Sequence, residues 1–287
     1  MMTKIKYLLL ASRPISWVNT AYPFAAGYLM TVRAVDPILI IGTFFFLIPY
    51  NLLMYGINDV FDYESDMQNP RKGGIEGAQL AKSLHRLTLV ASIGLSVPFI
   101  IYLLAVSHQP VGGLVLAVDI FLVLAYSLPK LRFKERPFID SMTSASHFVG
   151  PLVYALTFTH FTVNYLIIVV AFFLWGMASH AFGAVQDIIA DRKAGIGSIA
   201  TVIGARYTVR LAAGLYLASA ILLLTLGWLG LIIALVELLY VANVSRFWNI
   251  DDKHAEIANR GWRRFLLLNW IAGFMVTLVL IYLFKHG

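Results

Sequence analysis

Apolar runs of about twenty residues recur along the chain, separated by shorter polar connections. Nine of them are read, at 15–32, 37–58, 87–107, 110–128, 141–160, 163–186, 207–227, 229–246 and 264–284. Each is long enough for a helix across a hydrocarbon layer roughly 30 Å thick. The pattern predicts an all-α fold, a polytopic membrane helical bundle of about nine transmembrane helices. It also predicts a single domain over residues 1–287, with no soluble part. The fifth run is unusual because it opens with the polar SMTSASH. Pro23, Pro49, Pro98 and Pro151 fall inside runs, which membrane helices tolerate where neighbours re-satisfy the freed carbonyls.

Composition supports that picture and narrows the function. Of 287 residues, 60% are hydrophobic and 13% charged, against about a quarter charged in soluble domains. There is no cysteine, which excludes disulfides and thiolate chemistry. The apolar YLLLA after Lys4 and Lys6 is too short for a secretory signal. The net charge of +7 is spread between hydrophobic runs rather than gathered in one basic region, so a nucleic-acid partner is not expected. With the N-terminus cytoplasmic, 20 of the 22 Lys and Arg fall on the cytoplasmic side and only Arg33 and Lys285 outside. The connections on that side are also the long, charged ones. This predicts a multi-pass protein of the cell membrane with its active face towards the cytoplasm.

Candidate chemistry sits where spans meet that face. At 58–74 the chain reads NDVFDYESDMQNPRKGG. On a continuing helix Asn58, Asp62 and Asp66 advance by about 40° each, with Asp59 beside them, so oxygen donors line one face. Hard oxygen ligands in that number suit Mg²⁺, which pairs one or two carboxylates with substrate phosphates. Arg71 and Lys72 follow closely enough to meet phosphate oxygens. The plainer reading is a solvated acidic loop. A second cluster argues against it: in QDIIADRKAGIGSIAT, Asp187 and Asp191 are one turn apart, followed by Arg192 and Lys193. Two such clusters can hold a diphosphate between Mg²⁺ ions. AYSLPKLRFK, at 125–134, adds Tyr126, Lys130, Arg132 and Lys134, although juxtamembrane positive charge alone would explain those cations.

NDVFDYESDMQNPRKGG resembles the first aspartate-rich motif of the UbiA superfamily of intramembrane prenyltransferases. DIIADRKAG resembles the second, and YSLPK matches that family's Tyr-to-Lys element. The resemblance runs over nearly the whole chain. It implies Mg²⁺-dependent transfer of an isoprenyl group from its diphosphate to a lipophilic acceptor. Asn58, Asp59, Asp62, Asp66, Asp187 and Asp191 are then expected at the metal, with Arg71, Lys72, Tyr126, Lys130, Arg132 and Lys193 at the diphosphate. One departure is plain. Many members carry a second arginine after the first motif, and NPRKGGIEGAQL lacks it. That loop, with SRPISWVNTAYPF at 12–24 and SHAFGAVQDI at 179–188, is most similar to the lycopene elongase branch of C50 carotenoid synthesis. The implied donor is dimethylallyl diphosphate and the implied acceptor lycopene. Quinone, chlorophyll and glycerolipid acceptors are the alternatives within the family.

Two acidic residues stand apart from the motifs. Asp119 lies ten residues before Pro129, about 15 Å into the membrane at 1.5 Å per residue. Glu237 is likewise mid-span. An ionisable residue at that depth faces the protein interior. For Asp119 two readings stand: a structural bond to a neighbouring helix, or the group that ends the acceptor cation by taking a proton or placing water. A transporter using Asp119 and Glu237 as an ion path, and a lipid- or quinone-binding subunit, are the non-prenyltransferase readings. Both leave the paired aspartate motifs unexplained. No Lys or Arg lies mid-span, which favours an uncharged acceptor.

Overall fold

The computed structural model describes residues 4–68, 81–107 and 109–287, and among them every regular element is helical. By internal contacts the chain falls into two compact units, Met1–Phe133 with His147–His160, and Lys134–Ser146 with Phe161–Gly287. The first holds α1 (Lys4–Ala11), α2 (Trp17–Val32), α3 (Pro37–Phe61), α4 (Tyr63–Gln68), α5 (Lys82–Val106) and α6 (Pro110–Ser127). Helix α7 (Ile139–Leu156) starts in the second unit and ends in the first. The second unit continues with α8 (Val163–Val185), α9 (Ile188–Ala194), α10 (Ile199–Leu224), α11 (Gly227–Ser245) and α12 (Asn259–His286).

Among the described residues, seven stretches are long and apolar enough to cross a membrane: α3, α5, α6, α8, α10, α11 and Asp252–His286, which ends in α12. The two further runs expected from the sequence are also helical. Helix α2 has only 16 residues, and α7 carries the polar SMTSASH. Several helices outrun the apolar windows: α10 begins at Ile199 rather than 207, and α12 at Asn259 rather than 264. Hydropathy marks the part of a helix that meets lipid, whereas capping sets its end. Ser198 caps α10, its hydroxyl accepting from Thr201 N while the Thr201 hydroxyl accepts from Ser198 N.

Helix α3 is one apolar stretch but not one continuous helix. Pro49 has no N–H to donate, and Leu52–Gly56 widens into a π-turn. In lipid the exposed carbonyls need partners inside the protein. Ser96 Oγ donates to Pro49 O at 3.1 Å and Ser92 Oγ, one turn earlier on α5, to Leu52 O at 3.0 Å. On the other side Asn51 Nδ2 donates to Phe46 O and Leu47 O at 2.9 and 3.0 Å, and Thr20 Oγ1 donates to Phe46 O. Around this break packs an aromatic core of Phe24, Phe45, Phe46, Tyr50 and Tyr154, all fully buried.

In the second unit the core joins Phe182, Ile188, Tyr216, Tyr240, Phe247 and Phe265. Asp140, fully buried, accepts from Ser141 N at 2.7 Å and Ile199 N at 2.8 Å, which ties the start of α7 to the start of α10. Gly42 and Gly94 separate packing from conformational freedom. A side chain at Gly42 would run into the buried Phe24 ring, while nothing stands within 4 Å of the same position at Gly94. Gly42→Ala is therefore expected to lower the melting temperature of the detergent-solubilised protein, and Gly94→Ala to leave it unchanged or raise it. Equal melting of the two variants would contradict the packing described for α2 against α3.

Candidate active site

The first aspartate motif straddles a corner. Asp62 N still donates to Asn58 O at 2.9 Å, so those two residues are one turn apart as expected. At Asp62 itself the backbone leaves helical values (φ −100°, ψ 1°), and α4 begins at Tyr63. The unbroken polar stripe expected through Asp66 is thus divided, with Asn58 and Asp62 closing α3 and Asp66 carried on α4. The side chain of Asp66 is not described, and Arg71 and Lys72 lie outside the described residues.

The three described side chains of this motif go to different partners. Asn58 Oδ1 accepts from Ser127 Oγ at 2.9 Å, joining the end of α3 to the end of α6. Asp62 is buried, and its Oδ1 stands 3.6 Å from Arg132 Nη2. Asp59, also expected at the metal, is held by a cation. Its carboxylate is 1% exposed and bound at 2.9 Å by Arg13 Nη2, whose guanidinium lies 4.2 Å from the centre of the Tyr55 ring. A carboxylate this deep needs a paired cation, and Arg13 reaches it from a backbone turned into the left-handed region (φ 50°).

The loop after α6 shows the same kind of strain. Lys130 (φ 74°) and Arg132 (φ 39°) both have left-handed backbones, an arrangement costing about 1–3 kcal/mol per non-glycine residue. The fold holds it, and Arg132 meets Asp62 as a result. Lys130 is exposed, while Tyr126 is half-buried with its ring edge-on to His147, centroids 5.2 Å apart.

Deeper in the same unit, Tyr50 Oη donates to Asp119 Oδ1 at 3.0 Å and to the His147 carbonyl at 3.1 Å. Asp119 is 3% exposed and its Oδ2 has no hydrogen-bond partner. A Cβ at Gly150 would collide with that carboxyl, so only glycine on α7 lets Asp119 sit there. Glu237, in the second unit, has its own partner, Ser219 Oγ at 3.1 Å. Ser127, His147 and Gly150 are site residues that the sequence does not mark out. Their signal is weak, for only Ser127 and His147 interrupt an apolar pattern.

In the second unit α8 ends at Val185 and a separate two-turn helix, α9, carries the second motif. Asp187 stands at its start and Asp191 N donates to Asp187 O at 2.8 Å, so the predicted one-turn spacing is present. Gly195, at φ +71°, ends the helix in the conformation glycine adopts without penalty. Both aspartates are half-buried and Lys193 is exposed. Among the described residues no three acidic or imidazole side chains converge closely enough to hold a metal by themselves.

Residues 20–283 match the UbiA prenyltransferase family, and the chain belongs to that family. It is a UbiA-type prenyltransferase, similar to enzymes named for lycopene elongation. It is 52% identical over 283 residues, 98% of each chain, to a lycopene elongase/hydratase of Corynebacterium glutamicum. It is 49% identical over 278 residues to the C(50) beta-cyclic carotenoids biosynthesis protein LbtBC of Dietzia sp., covering 96% of this chain and 64% of that one. In fold it is similar to a UbiA homologue of Archaeoglobus fulgidus solved with DMAPP and Mg²⁺. That match has a TM-score of 0.70 and 17% identity, covering 93% of this chain and 98% of the other.

The Arg13–Asp59 pair gives a stability test. Removing one partner of a buried ion pair costs about 3–5 kcal/mol because the other charge is left in a dry site. Arg13→Ala should therefore melt well below wild type, and adding Asp59→Asn should recover much of the loss. A double variant no better than Arg13→Ala alone would mean that Asp59 is not the group Arg13 compensates.

Proposed function

We propose that this protein transfers a dimethylallyl group from dimethylallyl diphosphate to lycopene, as a Mg²⁺-dependent step of C50 carotenoid synthesis in the cell membrane, with its site open to the cytoplasm. The observation that carries the reading is the 52% identity, over 98% of both chains, to a lycopene elongase/hydratase. On the donor side, Asn58, Asp62, Asp66, Asp187 and Asp191 supply the hard oxygens Mg²⁺ prefers, and that ion needs only one or two carboxylates besides water and phosphate. Asp59 supports them through its bond to Arg13. When bound, the metal adds positive charge against the departing diphosphate. Arg71, Lys72, Tyr126, Lys130, Arg132 and Lys193 contact that diphosphate. On the acceptor side, the absence of mid-span Lys and Arg suits an uncharged polyene.

The bonds change as follows. The allylic C–O bond breaks with its electron pair leaving on the diphosphate. The acceptor's terminal double bond then attacks the allylic carbon and becomes a tertiary cation, which must lose a proton or add water. The relatives' name, elongase/hydratase, favours water. Asp119, oriented by the Tyr50 hydroxyl and with one oxygen uncommitted, receives the proton released as the new C–O bond forms.

Membranes carrying the wild-type protein, given lycopene, dimethylallyl diphosphate and Mg²⁺, should yield products heavier by one or two five-carbon units, each with one water where the cation is hydrated. Asp187→Ala should abolish them without changing membrane insertion or melting; near-normal turnover at saturating Mg²⁺ would refute the role of the second motif. Asp119→Asn keeps size and hydrogen bonding but removes the base. It should change the ratio of hydrated to unsaturated end groups and leave the donor KM unaltered. A wild-type product ratio at wild-type rate would reduce Asp119 to a helix-packing role.

A further inference from the structure

Helix α9 spans seven residues, Ile188–Ala194, too few for a helix to hold its own shape in water. Yet it has to present Asp187 and Asp191 in one direction. The restraint comes from a segment remote in sequence, the 3₁₀ run Asp252–Ala258 and the first residue of α12, Asn259. At one end of the motif, Gln186 is buried and its Oε1 accepts from Asn259 Nδ2 at 2.5 Å. At the other end, Arg192 Nη1 meets Asp252 Oδ2 at 2.7 Å. The same guanidinium donates from Nη2 and Nε to Thr201 O at 2.8 and 3.2 Å. Between the two ties, Ile188 shares a buried apolar cluster with Ala255 and Ala258.

Asp252 is itself anchored. Its second oxygen accepts from Ala205 N at 2.7 Å, at the break in α10 where Gly204 has φ +80°. A helix restarting after a break leaves N–H groups without intrahelical partners, and Asp252 satisfies one of them. Glycine is required there for its conformation and for the room it leaves, since a Cβ would lie 3.1 Å from Asp252 Oδ1. The segment is held from behind as well. Asn243 Nδ2 donates to Gly261 O at 3.0 Å, and the Trp262 ring covers Gly183 one turn before Asp187.

We propose that residues 252–259 form a clamp that positions the second aspartate motif, tied to Gln186 on one side and Arg192 on the other. The clamp sets how well Asp187 and Asp191 receive the metal-bound donor. Arg192 is a positioning residue, its guanidinium engaged by Asp252 and Thr201, while Lys193 beside it is left to meet phosphate. The inference rests on the role given above to Asp187 and Asp191, but the clamp itself is testable without activity.

Hydrogen exchange of the full-length protein in detergent reads the clamp directly. In Asn259→Ala and Arg192→Ala, amides of residues 188–194 should exchange at least about tenfold faster than in wild type, with the long helices unaffected. In the transfer assay the same variants should raise the donor KM by roughly fivefold or more, with the lycopene KM unchanged. Arg192→Lys, which keeps the charge at Asp252, should restore most of both effects. Wild-type exchange and donor KM in folded Asn259→Ala and Arg192→Ala would overturn the clamp. So would a parallel rise in both KM values with a lowered melting temperature, which would mean a general structural role. Should either alanine variant fail to fold, Asp252→Asn, which removes the charge Arg192 meets, carries the same exchange measurement and the same criteria. A wild-type protein inactive in transfer would refute the proposed function, while the exchange result would still decide whether the clamp exists.

Discussion

A backbone in hydrocarbon must satisfy its own N–H and C=O groups, and this constraint shapes the break inside α3. In α3 the departure at Pro49 and the π-turn after it would leave carbonyls bare. Ser92 and Ser96 come from α5, Thr20 from α2 and Asn51 from α3 itself, and together they close that gap. The repaired break puts Tyr50 on Asp119 and lets the same helix end at Asn58 and Asp62. Were those hydroxyls and the carboxamide absent, the break would be costly and the motif at its end would lose its support. In α10 the departure at Gly204 is repaired by Asp252, and that repair is also what anchors Arg192.

Charge burial follows the same economy of partners. Asp59 is nearly inaccessible and has Arg13; Asp62 is buried and has Arg132 near it. Both arginines reach these carboxylates from left-handed backbone positions, so local strain is exchanged for electrostatic pairing. Asp119 and Glu237 have hydroxyl partners instead of cations, Tyr50 and Ser219 respectively. A hydroxyl orients a carboxyl without cancelling its charge.

Much of the molecule was legible without coordinates because the bilayer imposes length and composition on any helix that crosses it. The apolar runs, the polar motifs at their ends and the one-turn spacing of Asp187 and Asp191 are all local properties. They follow from the helical period and from where charges are tolerated. The match of residues 20–283 to a single family follows from the same local patterns, repeated over the length of the chain.

What the sequence could not state is which polar side chain meets which. The turn at Asp62, the pairing of Asp59 with Arg13, and the pairing of Tyr50 with Asp119 join residues 46 to 69 positions apart or depend on a backbone bend between them. The ties from Asn259 to Gln186 and from Asp252 to Arg192 span 73 and 60 positions. No periodic signal carries over such distances. Residue type and period determined the helices and the chemistry at their ends, whereas packing between elements decided partners, because a polar group withdrawn from water must take whatever donor or acceptor the neighbouring element presents.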